Sequence, residues 1–257
     1  MRLAIVSDVH ANLEALTAVL REFDRHAVDR VISLGDAVGY HANPNECVDL
    51  LAGAGALTIA GNHDRAAVGA IEPDEFGSVA RHAVLWTRRA LLPEHQERLR
   101  ELGVFARLDE RVCVVHAALH PTPNDRYHLS TAARIAASFA VLRFGDESAR
   151  VCFYGHTHVA RVHRHDDDHA RALASKGVPR RVTLDDGYYL VNPGSVGQPR
   201  DGDDRASFAI FDDRSFDVEF FRVAYDRERC LRKAAAHGLL GDRRPAWRRA
   251  LSRFARH

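Results

Sequence analysis

Leu3-Ala4-Ile5-Val6-Ser7-Asp8-Val9-His10 is an apolar run that ends on two residues able to hold a cation. Residues 3–7 are short, partly β-branched and bounded by polar neighbours, so they read as a buried strand with Asp8 and His10 just beyond its end. The pattern recurs at residues 30–34, 57–60, 111–115 and 151–154. Each run again stops at a polar cluster: Gly35-Asp36-Ala37-Val38-Gly39-Tyr40, Gly61-Asn62-His63-Asp64, His116, and Gly155-His156-Thr157-His158. Helical patterns separate the early runs. Leu13, Leu16, Leu20 and Phe23 share one face behind Asn12 as N-cap, and Asn43-Pro44-Asn45-Glu46 reads as a capping box opening a helix to about Leu51. Strand, helix, strand, helix, strand is the order of a parallel sheet covered by helices.

A helical region over residues 74–102 follows, with Pro93 opening its second helix. After His158 the pattern becomes β-rich. Residues 182–184 and 188–191 flank Asp185-Asp186-Gly187, whose Asp-Gly step predicts a hairpin, and residues 207–211 and 218–223 form two more strands. The expectation is a two-sheet sandwich with helices outside.

Composition fits this reading. With 257 residues, 46% hydrophobic, and no linker rich in Ser, Gly or Pro, the chain has material for one continuous core. The formal net charge of +1 gives no general pull toward nucleic acid, membrane or acidic partners. Cys47, Cys113, Cys152 and Cys230 are scattered through apolar runs without a Cys-x-x-Cys pair, as expected of reduced, buried thiols in a cytoplasmic protein. The N-terminal apolar run is too short for a signal peptide, and no stretch approaches membrane-spanning length. Residues 1–225 are read as the body, and residues 226–257 as a basic helical extension with Trp247, Leu251 and Phe254 on one face. Docking on the body is favoured for this tail over pairing with a second copy, binding RNA or binding a membrane.

In an open α/β sheet ligands bind beyond the carboxyl ends of the strands, where all five clusters lie. Five strand ends bearing Asp, Asn and His point to metal. Two divalent ions about 3.5–4 Å apart can activate water and clamp a phosphoryl group in an in-line displacement. Their mutual repulsion is roughly 17 kcal/mol at an effective dielectric of 20, so a carboxylate must stand between them. Asp36 is assigned as that bridge. Asp8, His10 and His158 join it at one ion, and Asn62, His116 and His156 at the other. A metal-bridging hydroxide is the expected nucleophile, His63 assists the leaving group, and Asp64 orients His63 through its ring nitrogen. Mixed imidazole, carboxylate and amide ligands suit manganese first, with iron, zinc, cobalt or nickel as alternatives.

The series Asp8-x-His10, Gly35-Asp36, Gly61-Asn62-His63-Asp64, His116 and Gly155-His156-x-His158 resembles the calcineurin-like metallophosphoesterase superfamily, within it the small bacterial and archaeal phosphodiesterase-like branch. The resemblance runs to about Asp203 and includes Asn192-Pro193-Gly194-Ser195-Val196-Gly197-Gln198-Pro199-Arg200. It implies an α/β fold, a four-layer α/β/β/α sandwich of two mixed sheets flanked by helices. It also implies the same ligands and metal-dependent hydrolysis of phosphoesters, diesters before monoesters. Val38-Gly39-Tyr40 and Asp64 stand where the protein phosphatases and symmetrical dinucleoside tetraphosphatases carry Asp-Arg-Gly and Glu, which disfavours those activities. His116-Ala117-Ala118-Leu119-His120-Pro121 departs from the His-Gly-Ser-Pro frequent in the branch.

Tyr40, Arg65, Arg126 and Arg200 are the candidates for substrate phosphate, with Tyr127 beside them. The stretch from His163 to His169 holds ligand types for a further metal, but a solvated loop is the favoured reading. The alternatives to a phosphodiesterase are a protein-binding scaffold of this fold, or a phosphomonoesterase or nucleotide pyrophosphatase. Nucleic acid as a partner and a homo-oligomer through the C-terminal helices are left open.

Overall fold

The computed structural model describes residues 1–145, 149–165, 170–172 and 180–240. The first half runs β1 (Arg2–Val6), α1 (Leu13–Arg25), β2 (Arg30–Ser33), α2 (Pro44–Gly53), β3 (Leu57–Thr58), α3 (Asn62–Ala67), α4 (Ser78–Ala90), α5 (Pro93–Arg100), β4 (Phe105–Arg107) and β5 (Val112–Val115). It continues with α6 (Ala132–Phe144), β6 (Val151–Tyr154), β7 (Arg161–His165), β8 (Ala170–Ala172), β9 (Arg181–Thr183), β10 (Tyr188–Asn192), β11 (Ala206–Asp212), β12 (Asp217–Val223) and α7 (Arg227–Ala236).

The strands form two six-stranded sheets, β3-β2-β1-β11-β12-β9 and β4-β5-β6-β10-β7-β8. Both are mixed. β1, β2 and β3 are parallel, as are β5, β6 and β10, while the remaining neighbours are antiparallel. Alternation along the strands sorts the side chains into layers. Leu3 and Ile5 face Val114, Phe153 and Val191 across the inter-sheet core. Ala4 and Val6 point outward against Leu16, Val19 and Leu51 of α1 and α2. On the far side Cys113, Cys152 and Leu190 meet Phe139 and Leu142 of α6. The architecture is therefore α/β/β/α.

Asn12 caps α1 as expected, its side chain accepting from Ala15 N at 3.1 Å. Several local expectations fail. Asn43 makes no capping bond; its amide donates to Glu46 Oε1 at 2.8 Å and its oxygen accepts from Lys233. Asp185-Gly187 is a turn but closes no hairpin: β9 pairs with β12 in one sheet, β10 with β6 and β7 in the other. Val182 and Leu184 enter the inter-sheet core from one side, Tyr189 and Val191 from the other, so the turn crosses the sandwich. His163, Arg164 and His165 belong to β7 and pair with β10, with His163 buried, and are not a solvated loop. Residues 166–169 lie outside the described residues.

The start of the extension packs on the body. Lys233 and Arg229 of α7 approach Glu14 of α1 at 2.6 and 3.3 Å, and Leu239 is buried with Ala83 beside Trp86. Trp247, Leu251 and Phe254 lie outside the described residues. The four cysteines are buried and unpaired, and among the described residues no helix is long and apolar enough to cross a membrane.

Candidate metal centre

The loop after β1 is stitched to two others by backbone bonds. Asp8 N donates to Gly35 O at 3.0 Å and His10 N to Asp36 O at 2.8 Å, while Gly197 N donates to Asp8 O at 3.0 Å. These contacts hold an unusual backbone. Asp8, His10, Asp36, Tyr40, His156 and His158 all have φ between 52° and 65°. The left-handed region costs a residue with a Cβ about 1–2 kcal/mol, less for Asp and His, and persists only where the surroundings over-determine it. Position 35 requires glycine twice over: its φ is 94°, and a Cβ there would lie 2.4 Å from Gly61 N.

The result is a buried cluster around Asp36. Its Oδ2 stands 3.7 Å from His10 Nε2 and 3.4 Å from His116 Nε2, between two groups of ligands, while its Oδ1 accepts from His63 N at 2.8 Å. Asp8, His10 and His158 form one group, and Asp36, His116 and His156 another; in each, one potential ligand atom per residue lies within 4.8 Å of the rest. A third such group joins His63 to His10 and Asp36. Asn62 Oδ1 sits 3.2 Å from His116 Nε2. The structure thus brings together all seven residues assigned as ligands, with His63 beside them.

Hydrogen bonds on the outer ring nitrogens show what belongs in the middle. His10 Nδ1 lies 3.2 Å from Val38 O, His116 Nδ1 2.7 Å from Leu34 O, and His158 Nδ1 2.7 Å from Gln198 O. Each Nδ1 therefore donates outward, which leaves the Nε2 of each ring turned inward as the atom available to a cation. His10 Nε2 and His158 Nε2 consequently face each other at 3.0 Å, with carboxylate oxygens around them. Ring nitrogens and carboxylate oxygens gathered this closely fit divalent cations. His156 is the exception: its Nε2 meets Arg126 O at 3.2 Å, which leaves Nδ1 as the ligand atom.

The electrostatics agree. Burial alone would lower the pKa of His116, but Asp36 and Asp8 overcome it and push the ring up to about 10. Burial would likewise raise Asp8, yet His158 and His116 hold that carboxyl below its ordinary range. His116 and the two carboxylates thus stabilise one another's charged forms. His63 is pulled down to about 4, by burial first and by His158 and His116 against the pull of Asp36. Its ring packs 4.7 Å from those of His10 and Tyr40 and 4.9 Å from Phe76, and its Nδ1 is buried without a hydrogen-bond partner.

Two expected roles are corrected. Asp64 does not orient His63. Its oxygens accept from Val38 N at 3.1 Å and Gly61 N at 2.9 Å, because Asp64 occupies the third position of α3 and caps that helix. Burial, with Asp36 adding to it, pushes the Asp64 carboxyl up to about 7. Arg65 is turned away from substrate: its Nη1 meets both oxygens of Asp125 at 3.0 Å and ties α3 to the loop after β5. Asp125 is only 2% exposed, so Arg65→Ala strands a buried carboxylate. With Arg65 a third exposed, the expected loss is about 1–3 kcal/mol, read as a lower melting temperature with KM retained. A raised KM without a stability loss would restore Arg65 to the substrate site.

Tyr40, Arg126 and Arg200 do line the cleft of about 500 Å³ over the cluster. Arg200 Nη2 reaches Tyr40 Oη at 3.2 Å and Gln198 Oε1 at 2.9 Å. The cleft adds His128, stacked on His156 at 3.9 Å, and a wall of Glu72, Asp74, Glu75 and Phe76. These five were not anticipated. They lie in irregular loops where no periodicity marks a side chain, and the one signal available was that His128 follows the strand-end His116 within the same loop.

Comparisons place this geometry. A model of the calcineurin-like phosphoesterase superfamily domain matches residues 1–215. An uncharacterized protein of Methanocaldococcus jannaschii is 34% identical over 249 residues, covering 95% of this chain and 94% of that protein. A metallophosphoesterase from Sphaerobacter thermophilus is 40% identical, with a TM-score of 0.75 over 93% of this chain and 94% of that one. A hypothetical protein of Pyrococcus horikoshii shares the fold at 18% identity, with a TM-score of 0.71 over 93% and 94%. With its strand-end ligands converging on Asp36, the chain belongs to the calcineurin-like phosphoesterase superfamily.

Proposed function

We propose that the protein hydrolyses phosphodiesters at a two-metal centre, with manganese the first choice of ion and Asp36 the bridging ligand. The observation that carries this reading is the inward convergence of ring nitrogens on Asp8 and Asp36, with His63 packed over them. Divalent ions held there would lower the pKa of water and neutralise charge on the phosphoryl group.

The chain's own residues do the rest. Arg126, His128 and Arg200 line the cleft and supply donors for the non-bridging phosphate oxygens. His63 is close enough to the cluster to protonate the departing oxygen, and the negative charge of a bound phosphodiester favours its protonated form. The fixed left-handed turns pre-position these groups, so little reorganisation is left for the transition state. Glu72, Asp74 and Glu75 oppose a dianionic monoester more than a monoanionic diester, and the cleft has room for a second ester substituent.

The test is hydrolysis of bis(p-nitrophenyl) phosphate by protein loaded in turn with manganese, iron, cobalt, nickel and zinc. Turnover with none of them would end the proposal. A role for His63 in leaving-group protonation has its own signature. His63→Ala is expected to lower kcat about 10²–10⁴-fold on a diester with an alkoxide leaving group, and far less on p-nitrophenolate, which departs without a proton. Equal losses on both would assign His63 to binding.

A further inference from the structure

Arg200 belongs to two cavities. Besides the catalytic cleft it lines a groove of about 680 Å³ whose other walls include Arg161, Arg180, Arg222 and Phe220. The groove is built on the same backbone as a metal half-site. Arg200 N donates to His158 O at 3.1 Å, and Arg161 opens β7 three residues after His158. Arg180 is anchored across it by Phe220 N donating to its carbonyl at 2.8 Å.

The charges do not cancel. Arg222 is paired with Asp201 and held by the carbonyls of Asp203 and Arg205, and Asp203 is itself paired with Arg205 at 2.7 Å. Arg161, Arg180 and Arg200 have no carboxylate partner among the described residues. Three arginines without a carboxylate partner therefore line a groove that shares Arg200 with the catalytic cleft, beside Phe220, whose partly buried ring packs on the inter-sheet core. The 72–77 wall of the cleft is acidic instead: Glu72 and Asp74 are loosely paired with Arg88 and Arg81 at 3.9 and 3.7 Å, and Glu75 has no ion-pair partner among the described residues. A polyanion reaching the metals is attracted along one exit and repelled along the other.

Resting on the phosphodiesterase reading, we propose that this groove binds phosphates of the substrate beyond the one being cleaved, and that the preferred substrate is a short single-stranded nucleic acid with its terminal phosphodiester at the metal centre. A cationic track with an aromatic side chain suits a flexible strand, whose bases can stack while its phosphates follow the arginines. The acidic wall restricts the strand to one side of the scissile bond, which makes the reaction one of chain ends.

The experiment compares, in manganese, the p-nitrophenyl ester of thymidine 5′-phosphate with the same ester at the 5′ end of a thymidine trinucleotide. The leaving group is identical, and only the trinucleotide has further phosphates. We expect its kcat/KM to be at least about tenfold higher at low salt, with an advantage that declines as salt rises, at about 0.7 log units per log unit of salt for each phosphate neutralised. Arg161→Ala/Arg180→Ala should bring the ratio of the two values close to one; Arg180→Ala alone serves if the double variant melts early. Equal values for the two esters in the native protein, an advantage indifferent to salt, or one surviving in the variant overturns the proposal. A duplex competing as well as the single strand also overturns it. If neither ester nor bis(p-nitrophenyl) phosphate is cleaved, the phosphodiesterase reading has failed, and fluorescence anisotropy of a labelled trinucleotide decides the groove by itself. Binding weakened at least about tenfold in the variant sustains it, and unaltered or absent binding removes it.

Discussion

Asp36→Asn is expected to lower metal-dependent phosphodiester hydrolysis by at least about 10³-fold, roughly 4 kcal/mol of transition-state stabilisation. The substitution is nearly isosteric. An asparagine oxygen can still accept from His63 N, now 2.8 Å from Asp36 Oδ1, and its NH₂ would face His116 Nε2, now 3.4 Å from Oδ2. What disappears is the negative charge between the two proposed cations, which leaves Asp8 as the one carboxylate in the cluster to offset their repulsion. Metal content should fall from two equivalents to one or fewer, by elemental analysis. The metal-free variant should melt lower than the metal-free native protein, because the substitution removes the buried carboxylate that pairs with the His116 ring at 3.4 Å. Retention of two ions at full activity would show that Asp36 is not the bridge.

Gly197→Ala should be the most damaging small substitution at the rim. A Cβ there would lie 1.9 Å from Val9 O, a backbone atom that cannot swing aside. Gly197 N also donates to Asp8 O, and Asn12 donates to Gly197 O at 2.9 Å. Relief of the clash therefore moves the turn that carries Asp8 and His10. A cost of at least about 3 kcal/mol is expected, a melting temperature lower by roughly 6–12 °C, together with weaker metal binding. Gly202→Ala is the internal control: its φ is 91° but no atom lies within 4 Å of the added Cβ, so it should cost about 1 kcal/mol with metal content intact. Similar melting temperatures for the two variants would mean that the 192–200 loop yields easily and does not brace Asp8.

The fold and ligand groups were legible because both depend on repeating signals. β1, β2, β5 and β6 are apolar runs with polar ends, and the strand-end rule delivers Asp8, Asp36, His116 and His156 to one rim whatever the loop shapes are. Legibility ended where a residue's partner is distant in sequence. Asp64 is adjacent to His63, which suggested a pair, but its position in α3 commits it to Gly61 and Val38. Arg65 follows it and suggested a phosphate contact, but its partner, Asp125, is 60 residues away. The Asp-Gly turn at Asp186 was recognised correctly as a turn, and its flanks were misassigned because sheet membership is decided by packing of Val182 and Tyr189 from opposite sides. α6 escaped notice because its sequence, AARIAASFAVLRF, is apolar on nearly every side and shows no amphipathic period.

Neither sheet owns an ion site. Asp8, His10, Asp36 and Asn62 arrive from one sheet and His116, His156 and His158 from the other, and the groups Asp8-His10-His158 and Asp36-His116-His156 each draw on both. The sheets are joined at this rim by His116 Nδ1 donating to Leu34 O and by His156 N donating to Asp8. Away from the rim their separation is set by side chains such as Phe153 and Phe211, whose rings lie 5.4 Å apart in the inter-sheet core. The interior thus acts as a spacer for the rim: a change in core volume would alter the distance between the two sets of candidate ligands while every one of those residues stayed the same.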